Sequence, residues 1–588
     1  MTKNNEKLMS GAEIFVKSLE AEGVEVIFGY IGAKVITIYD KLYDSKIRHI
    51  MPHHEQGGVH AADGYARSSG KTGVCIATSG PGAANMVTAL ATAHMDSVPL
   101  VAFTGQVPNT MIGTDGFQEA DIKGITMPIT KNNYIVNDVK DISRIIKEAF
   151  HIASTGRPGP VLVDIPSNIL ADQAEFNYPT TVDLPGYNPT YKGNKLQIKR
   201  AAELINNAAK PIIYAGGGAI ISGADKEVAE LAKKAEIPVT TTLNGIGIFD
   251  ENDSLSLGML GMHGSTEANL AITNTDLIIA LGARFDDRVT GKIDSFAKNA
   301  AVIHVDIDPA EIGKIIKTQV PITGDVKSVV EELIPKVKKA KRPGWLKEID
   351  DWRKIDKKAD PALNDKLLPS EIIETLYELT DGKAIITAGV GQHQMWAAQY
   401  YKYSRPRSFI SSGGLGTMGF GFPAAIGAKI ANPDQDVFAL VGDGSFQMNI
   451  QELATAAKNK VPVKIILFNN QYLGMVRQWQ ELFFDKRYSA TCLRRQIDCP
   501  PQCSGPNQNC PEMIPDFIQV AKGYGIQGQT ITNREDIESA LKAAIESKES
   551  YLLNFMIEEE ENVFPMVSAG GSLKDMILRK EQEKYANK

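Results

Sequence analysis

Apolar residues in this chain fall into short runs, and stretches of helical spacing separate them from end to end. Residues 24–28, 211–214, 277–281, 301–305, 383–387, 436–441 and 461–468 read as strands, rich in Val, Ile and Leu with little polar alternation. Strands of that kind are buried on both faces, which belongs to parallel sheets covered by helices. Between them, Ser10-Gly-Ala-Glu13 is a capping box; Ile14, Phe15 and Leu19 continue on one helical face, and Gly23 ends that helix. The alternation predicts an α/β protein of doubly wound parallel sheets.

The plan is used more than once. The helix-strand-loop pattern at the start returns at 369–392, with a second Gly-containing loop at 389–392. Gly80-Pro-Gly82 before an Ala-rich helix has a counterpart in Gly413 to Gly419 before Ala424 to Ala428. Residues 10–175 and 365–560 therefore read as two copies of one α/β unit. A Pro/Gly/Tyr-rich stretch at 178–189 and a basic run at 336–344 read as linkers, the second of them solvated. They isolate a third α/β domain at about 195–335. There Gly216-Gly-Gly218 follows a strand, but Ile221 stands where a dinucleotide fingerprint wants a third glycine. Asp306 and Asp308 end another strand, where a carboxylate can accept from a ribose hydroxyl. A domain with no ligand fits the same residues.

The densest chemistry lies between Gly442 and Asn470. Strand, Gly442-Asp443-Gly444-Ser445, helix, strand and Asn469-Asn470 make one βαβ unit. A carboxylate and an amide then emerge side by side from neighbouring parallel strands. Two hard oxygen ligands suit magnesium, which completes its octahedron with phosphates, and glycines let backbone approach those phosphates. Alone, Gly-Asp-Gly is an ordinary turn. With 24 residues before Asn469-Asn470 it resembles the thiamine-diphosphate motif of decarboxylases and synthases.

Composition narrows the rest. At 588 residues the chain has room for about three or four domains. Net charge is −7 with scattered Lys and Arg, so nucleic-acid binding is not expected and metal and backbone N–H groups must hold a diphosphate. The first nine residues have no apolar signal region and no run of membrane-spanning length occurs, so a soluble cytoplasmic protein is expected.

A wider set of ordered motifs sharpens the resemblance. His54-Glu55-Gln56, Ala61 to Arg67, Thr78 to Ala83, Phe117-Gln118-Glu119, Gly156 to Pro160, Gly261 to Gly264, Arg284 to Gly291, Gly391 to Trp396 and Leu473 to Trp479 are similar to the acetohydroxyacid synthase (acetolactate synthase) large-subunit family across nearly the whole chain. The resemblance implies a pyrimidine-binding domain at 1–177, a central FAD-binding domain at 195–335, a diphosphate- and Mg-binding domain at 365–560, and a C-terminal tail at 561–588. It implies a homodimer or homotetramer, with the active site between one subunit's first domain and another's third, and a small regulatory subunit. The implied reaction decarboxylates pyruvate and joins the two-carbon fragment to a second 2-keto acid, pyruvate or 2-ketobutyrate.

Roles carry over residue by residue. Glu55 would hydrogen-bond the aminopyrimidine of thiamine diphosphate from a buried position. Met418, in the loop with Gly416, would wedge under that cofactor; Gln392, His393, Gly444, Ser445 and Met475 would line it. Asp443 and Asn470 would bind Mg through side chains and Tyr472 through its carbonyl. Ala33, Phe117 and Gln118 would border the reacting centre, while Trp479 and Met475 shape the pocket for the second keto acid. FAD would lie on Arg157, Gly216, Gly217, Gly218, Thr242, Leu243, Met262, His263, Gly282, Arg284, Asp286, Arg288, Asp306 and Asp325.

Two departures stand out. The loop Ile31-Gly32-Ala33-Lys34, with Thr37, replaces a Pro-Gly-Gly-Ala pattern; Ala33 costs of order 1 kcal/mol if the position has positive φ. Cys492, Cys499, Cys503 and Cys510 fall within 19 residues where the family has a shorter link. Four thiolates can hold zinc or an iron–sulfur cluster, though the spacing matches no standard zinc pattern. Free thiols and disulfides are the other readings. Another thiamine-diphosphate carboligase or oxidase, or a non-catalytic paralogue, remain as alternatives to the synthase.

Overall fold

The structure, a computed structural model, describes residues 8–355, 366–500, 505–507 and 509–579. Three six-stranded sheets dominate it, and every strand pair within them is parallel. Each sheet carries a buried apolar cluster on either face, as the two-sided apolar strands require. Among the described residues no helix is long and apolar enough to cross a membrane.

The first sheet runs, in spatial order, Arg48–Ile50, Val26–Gly29, Gly73–Ala77, Leu100–Gln106, Pro160–Pro166 and Asn132–Ile135. The third runs Phe409–Ser411, Ile385–Ala388, Val437–Gly442, Lys464–Asn469, Tyr551–Met556 and Gln527–Ile531. Numbered along the chain, both read 2-1-3-4-6-5, so the two copies inferred from loop patterns share one topology. The middle sheet runs Ser256–Met259, Val239–Thr241, Pro211–Ala215, Leu277–Leu281, Ala301–Asp306 and Val320–Thr323. That is 3-2-1-4-5-6, the order of dinucleotide-binding sheets, despite Ile221.

The two like domains meet through equivalent helices. Glu55–Ser69 follows the second strand of the first sheet, and Gly421–Ala431 follows the second strand of the third. Their backbones cross at glycine: a Cβ on Gly64 would lie 2.1 Å from Ala424 O, and one on Gly427 1.8 Å from Ala61 O. No side chain fits either place. Glu452, also in the third domain, is buried against the turn that opens the first of these helices. Its Oε1 accepts from the His53 N–H at 3.1 Å, and its Oε2 from Thr455 Oγ1 at 2.6 Å.

Local signals behave as their chemistry dictates. Ser10 and Glu13 form both halves of the capping box on Gly11–Ala21. The basic run is the exception to its expected solvation. Lys336, Lys338, Lys339 and Lys341 are exposed, but Arg342 is buried. Its guanidinium donates to Ala235 O and, at 3.1 Å, to Ile205 O, the carbonyl ends of two central-domain helices. Helix C-termini present unpaired carbonyls and partial negative charge, so an arginine there is a fastener and not part of a loose linker. The tail is likewise fastened: Val563, Met566 and Val567 are buried, and Val567 N–H donates to Met262 O at 2.9 Å. Residues 580–588 lie outside the described residues.

Candidate active site

Strands Val437–Gly442 and Lys464–Asn469 are adjacent, with Gly442 opposite Phe468, so Asp443 and Asn470 leave the sheet at the same end. Asp443 is 2% exposed. Its Oδ1 accepts from the Gly444 N–H at 2.9 Å and its Oδ2 from the Gln471 N–H at 2.7 Å. Burial pushes its carboxyl up to about 7, against the pull of those backbone bonds. Asn470 accepts from the Tyr472 N–H at 3.1 Å and donates to Gln392 Oε1 at 3.3 Å. A buried carboxylate beside an amide oxygen, with no basic side chain bonded to it, fits a hard cation whose charge would offset the burial.

His393 sits between the ends of two strands. Added Cβ atoms on Gly389 and Gly442 would lie 2.7 Å from its Nε2 and Nδ1 respectively, so both strand ends must be glycine. Burial pushes the imidazole down to about 3, which leaves it neutral, and its Nε2 has no hydrogen-bond partner. His393 lines a cavity of about 670 Å³. Gln392, His393, Gly416, Met418, Asp443, Gly444, Ser445, Asn470, Tyr472, Met475 and Trp479 all line it. So do Met262, His263 and Arg288 from the central domain.

A second cavity, of about 240 Å³, opens at the strand-order switch of the middle sheet. Here Gly216, Gly218 and Gly282 press together: a Cβ on Gly216 would lie 2.2 Å from Gly282 O. Gly217, Gly218 and Gly282 line the space with Arg157, Asp306 and Asp325; Gly216 stands behind it. Arg157 bonds Asp308 and Glu311 at 3.1 and 2.7 Å. Asp306 is pushed up to about 6 by burial. Asp325 and Asp286 also cap short helices, accepting from Ser328 N–H and from Arg288 and Val289 N–H. Thr242, Leu243, Arg284, Asp286, Gly413 and Met95 line both cavities. The two cavities thus adjoin along a shared wall, and the smaller one carries the glycine and carboxylate groups that suit a ribose-diphosphate.

Apart from Arg157, the residues expected from the first domain are elsewhere. Glu55, Ala33, Phe117 and Gln118 line neither cavity. They gather at the carboxyl end of the first sheet. Glu55 Oε2 accepts from Asn85 Nδ2 at 2.9 Å, and its Oε1 would lie 3.1 Å from a Cβ on Gly82. Gln118 takes a left-handed backbone (φ 61°) with its carbonyl 2.9 Å from where a Gly80 Cβ would be, a strained arrangement of the kind found at functional sites. Phe117 is 85% exposed, and Tyr30, Ile31 and Ile36 of the same domain are exposed too. Glu55 is half-buried, so the burial expected of it is not provided within one chain. Ala33 is exposed and is not among the positive-φ residues, so the cost considered for its methyl does not arise.

Of the four clustered cysteines, Cys503 lies outside the described residues. Cys492, Cys499 and Cys510 are free. Cys499 and Cys510 Sγ each accept a backbone N–H three residues earlier, at 3.4 Å. Among the described residues no group of three or more His, Cys, Asp or Glu side chains is placed to hold a metal ion, so this segment gives the zinc or iron–sulfur reading no support.

Residues that sequence reasoning passed over include Met95, Asp96, Asn244 and Glu452. Asp96 and Asn244 sit in no local motif, and their partners across the domains are distant in the chain.

Two like sheets flanking a dinucleotide-type sheet, with an Asp-Asn pair at a strand end, define a thiamine pyrophosphate enzyme. Family models agree: the N-terminal TPP binding domain matches residues 9–125, the central domain 198–333 and the C-terminal TPP binding domain 389–555. Acetolactate synthase of Mycobacterium leprae (strain TN) is 50% identical over 573 residues, covering 96% of this chain and 89% of that protein. The acetolactate synthase large subunit of Corynebacterium glutamicum is 47% identical, covering 97% and 90%. The probable acetolactate synthase large subunit of Methanocaldococcus jannaschii is 47% identical, covering 97% and 95%. The chain belongs to the acetolactate synthase large-subunit family.

Proposed function

We propose that this chain decarboxylates pyruvate and joins the remaining two-carbon fragment to a second pyruvate or to 2-ketobutyrate, giving acetolactate or acetohydroxybutyrate, the first common step toward valine, leucine and isoleucine. The observation that carries the reading is the single cavity in which Asp443 and Asn470 face Met475 and Trp479. Thiamine diphosphate supplies the carbanion chemistry when bound. Asp443 and Asn470 would hold Mg through side-chain oxygens, with the Tyr472 carbonyl. Gln392, His393, Gly444 and Ser445 would border the diphosphate, and neutral His393 can accept or donate without adding charge. Met418 and Gly416 form the floor. Trp479 narrows the pocket for the second keto acid. The adjoining groove takes FAD, held by Arg157, the Gly216–Gly218 turn, Thr242, Leu243, Gly282, Arg284, Asp286, Asp306 and Asp325; the net reaction transfers no electrons, so the flavin's part is structural.

Glu55 Oε would hold the proton exchanged with the aminopyrimidine, from the first domain of a second copy, with Phe117, Gln118 and Ala33 beside it. A homodimer or homotetramer follows, with a small regulatory subunit in keeping with the "large subunit" relatives, in the cytoplasm. The domains divide at 1–177, 195–335 and 365–560. The test is acetolactate formation from pyruvate with thiamine diphosphate, Mg and FAD. Glu55→Gln is expected to lower kcat about 10²–10⁴-fold while leaving cofactor affinity within a few-fold. Another product, or full activity in the variant, would overturn the reading.

A further inference from the structure

One carboxylate joins all three domains where the two cavities meet. Asp96 ends the helix Val87–Met95 of the first domain, and its side chain is wholly buried. Its Oδ1 accepts from Asn244 Nδ2 at 2.9 Å, in the central domain, and from the Gly414 N–H at 2.7 Å, in the third. Its Oδ2 accepts from the Gly413 N–H at 3.0 Å and from Arg67 Nη2 at 2.9 Å. Arg67 also donates to Ser411 O at 2.9 Å. Four donors from three domains saturate one buried acceptor.

What it holds matters more than how many bonds it makes. Gly413 and Gly414 begin the loop that carries Met418 to the wall of the larger cavity, and both glycines line it too. These two glycines have no side chains of their own to pin them, and Asp96 accepts both of their N–H groups. A Cβ on Gly413 would lie 2.7 Å from Asn244 Nδ2, so the loop and the Asn244 turn are also in contact. Asn244 in turn lines the smaller cavity, and Thr242 and Leu243 just before it line both. A ligand that orders the Asn244 turn therefore orders the glycine loop through the same carboxylate, and the reverse holds.

We propose that Asp96 is a positioning residue that couples the two cavities, so that occupancy of the flavin groove and of the thiamine cavity each favour the other. The inference rests on the assignment of FAD to the smaller cavity. Each ligand meets part of the ordering cost of the other, which gives cooperativity without a large structural change, and linkage makes the coupling factor equal in both directions.

The test uses the full chain and titrates thiamine diphosphate with Mg by tryptophan fluorescence, with and without saturating FAD, then FAD with and without thiamine diphosphate by flavin fluorescence. The wild type is expected to show the same factor in both directions, roughly tenfold. Asn244→Ala removes one arm of the junction. It should bring the factor to within about twofold of unity while both ligands still bind; Asn244→Ser serves if the alanine variant does not fold. An unchanged factor in the variant would overturn the proposal, as would a wild type with no coupling. An equal loss of affinity with and without FAD would mark Asn244 as merely structural and also count against it. A wild type that binds thiamine diphosphate but no FAD at all would instead remove the flavin assignment and the proposal with it.

Discussion

The first and third domains have the same strand order and nearly opposite chemical equipment. After the second strand, one offers Glu55 at a helix N-terminus and the other the glycine loop of Gly413 to Met418. After the third strand, one offers Thr78-Ser-Gly-Pro-Gly82 and the other Gly442-Asp443-Gly444. Both contain a buried carboxylate raised to about 7 by desolvation, yet the two are not alike. Asp164 of the first domain is filled by Thr104 Oγ1 at 2.7 Å and Gln106 Nε2 at 3.0 Å. Among the described residues Asp443 is met only by backbone N–H groups, and it lines a cavity. The scaffold thus sets where a strand end points, and a few loop residues decide whether that end opens on a cavity, presents an acid or closes on itself.

The crossing of the two equivalent helices leaves no room for a side chain at Gly427. Gly427→Val drives a branched side chain into Ala61 O, which lies 1.8 Å from the first added atom. Denaturant unfolding should show a loss of at least about 4 kcal/mol, whereas a valine tolerated within 1 kcal/mol would contradict the close crossing.

Glu452 ties the third domain to the turn that carries Glu55. Burial raises its carboxyl to about 7 from an ordinary 4.5. Below about pH 4.5 folded and unfolded states are both protonated and no penalty exists. As pH rises toward 7 only the unfolded state ionises, so stability falls, and above about 7 the penalty is constant. The total is about 3 kcal/mol at 1.36 kcal/mol per pKa unit. Glu452→Gln should remove that component of the pH–stability curve between pH 4.5 and 7; an unchanged slope would be evidence against it.

The smallest effect is expected at Ala33. Because its φ is not positive and its methyl is exposed, Ala33→Gly should change stability by less than about 0.5 kcal/mol, measured by thermal unfolding. A gain of 1 kcal/mol or more would show that the methyl is strained after all.

Much of this was legible in the chain, and for identifiable reasons. Two-sided apolar strands dictate parallel sheets, and residues at strand ends such as Asp443 and Asn470 inherit their proximity from strand adjacency. The third-domain candidates could be read because they lie in loops that follow neighbouring strands of one sheet. Asp96 could not be read: its partners are 29, 148, 317 and 318 positions away, and an Asp at a helix end has many ordinary uses. Arg342 was misread as solvated for the same reason, since the carbonyls it caps belong to helices more than 100 residues earlier. Glu55 shows a different limit. Its residue type announces chemistry, but nothing local to it says that it lines neither cavity of its own chain.

The proposed sharing of one site by Glu55 of one copy and Asp443 of another can be tested directly by mixing two inactive variants, Glu55→Gln and Asp443→Ala, under conditions where subunits exchange. Each alone should make no appreciable acetolactate. Random reassortment into dimers should restore up to about a quarter of wild-type activity, because each mixed dimer holds one site with both groups intact. A mixture that exchanges subunits but stays inactive would mean that Glu55 and Asp443 of a single chain serve the same site.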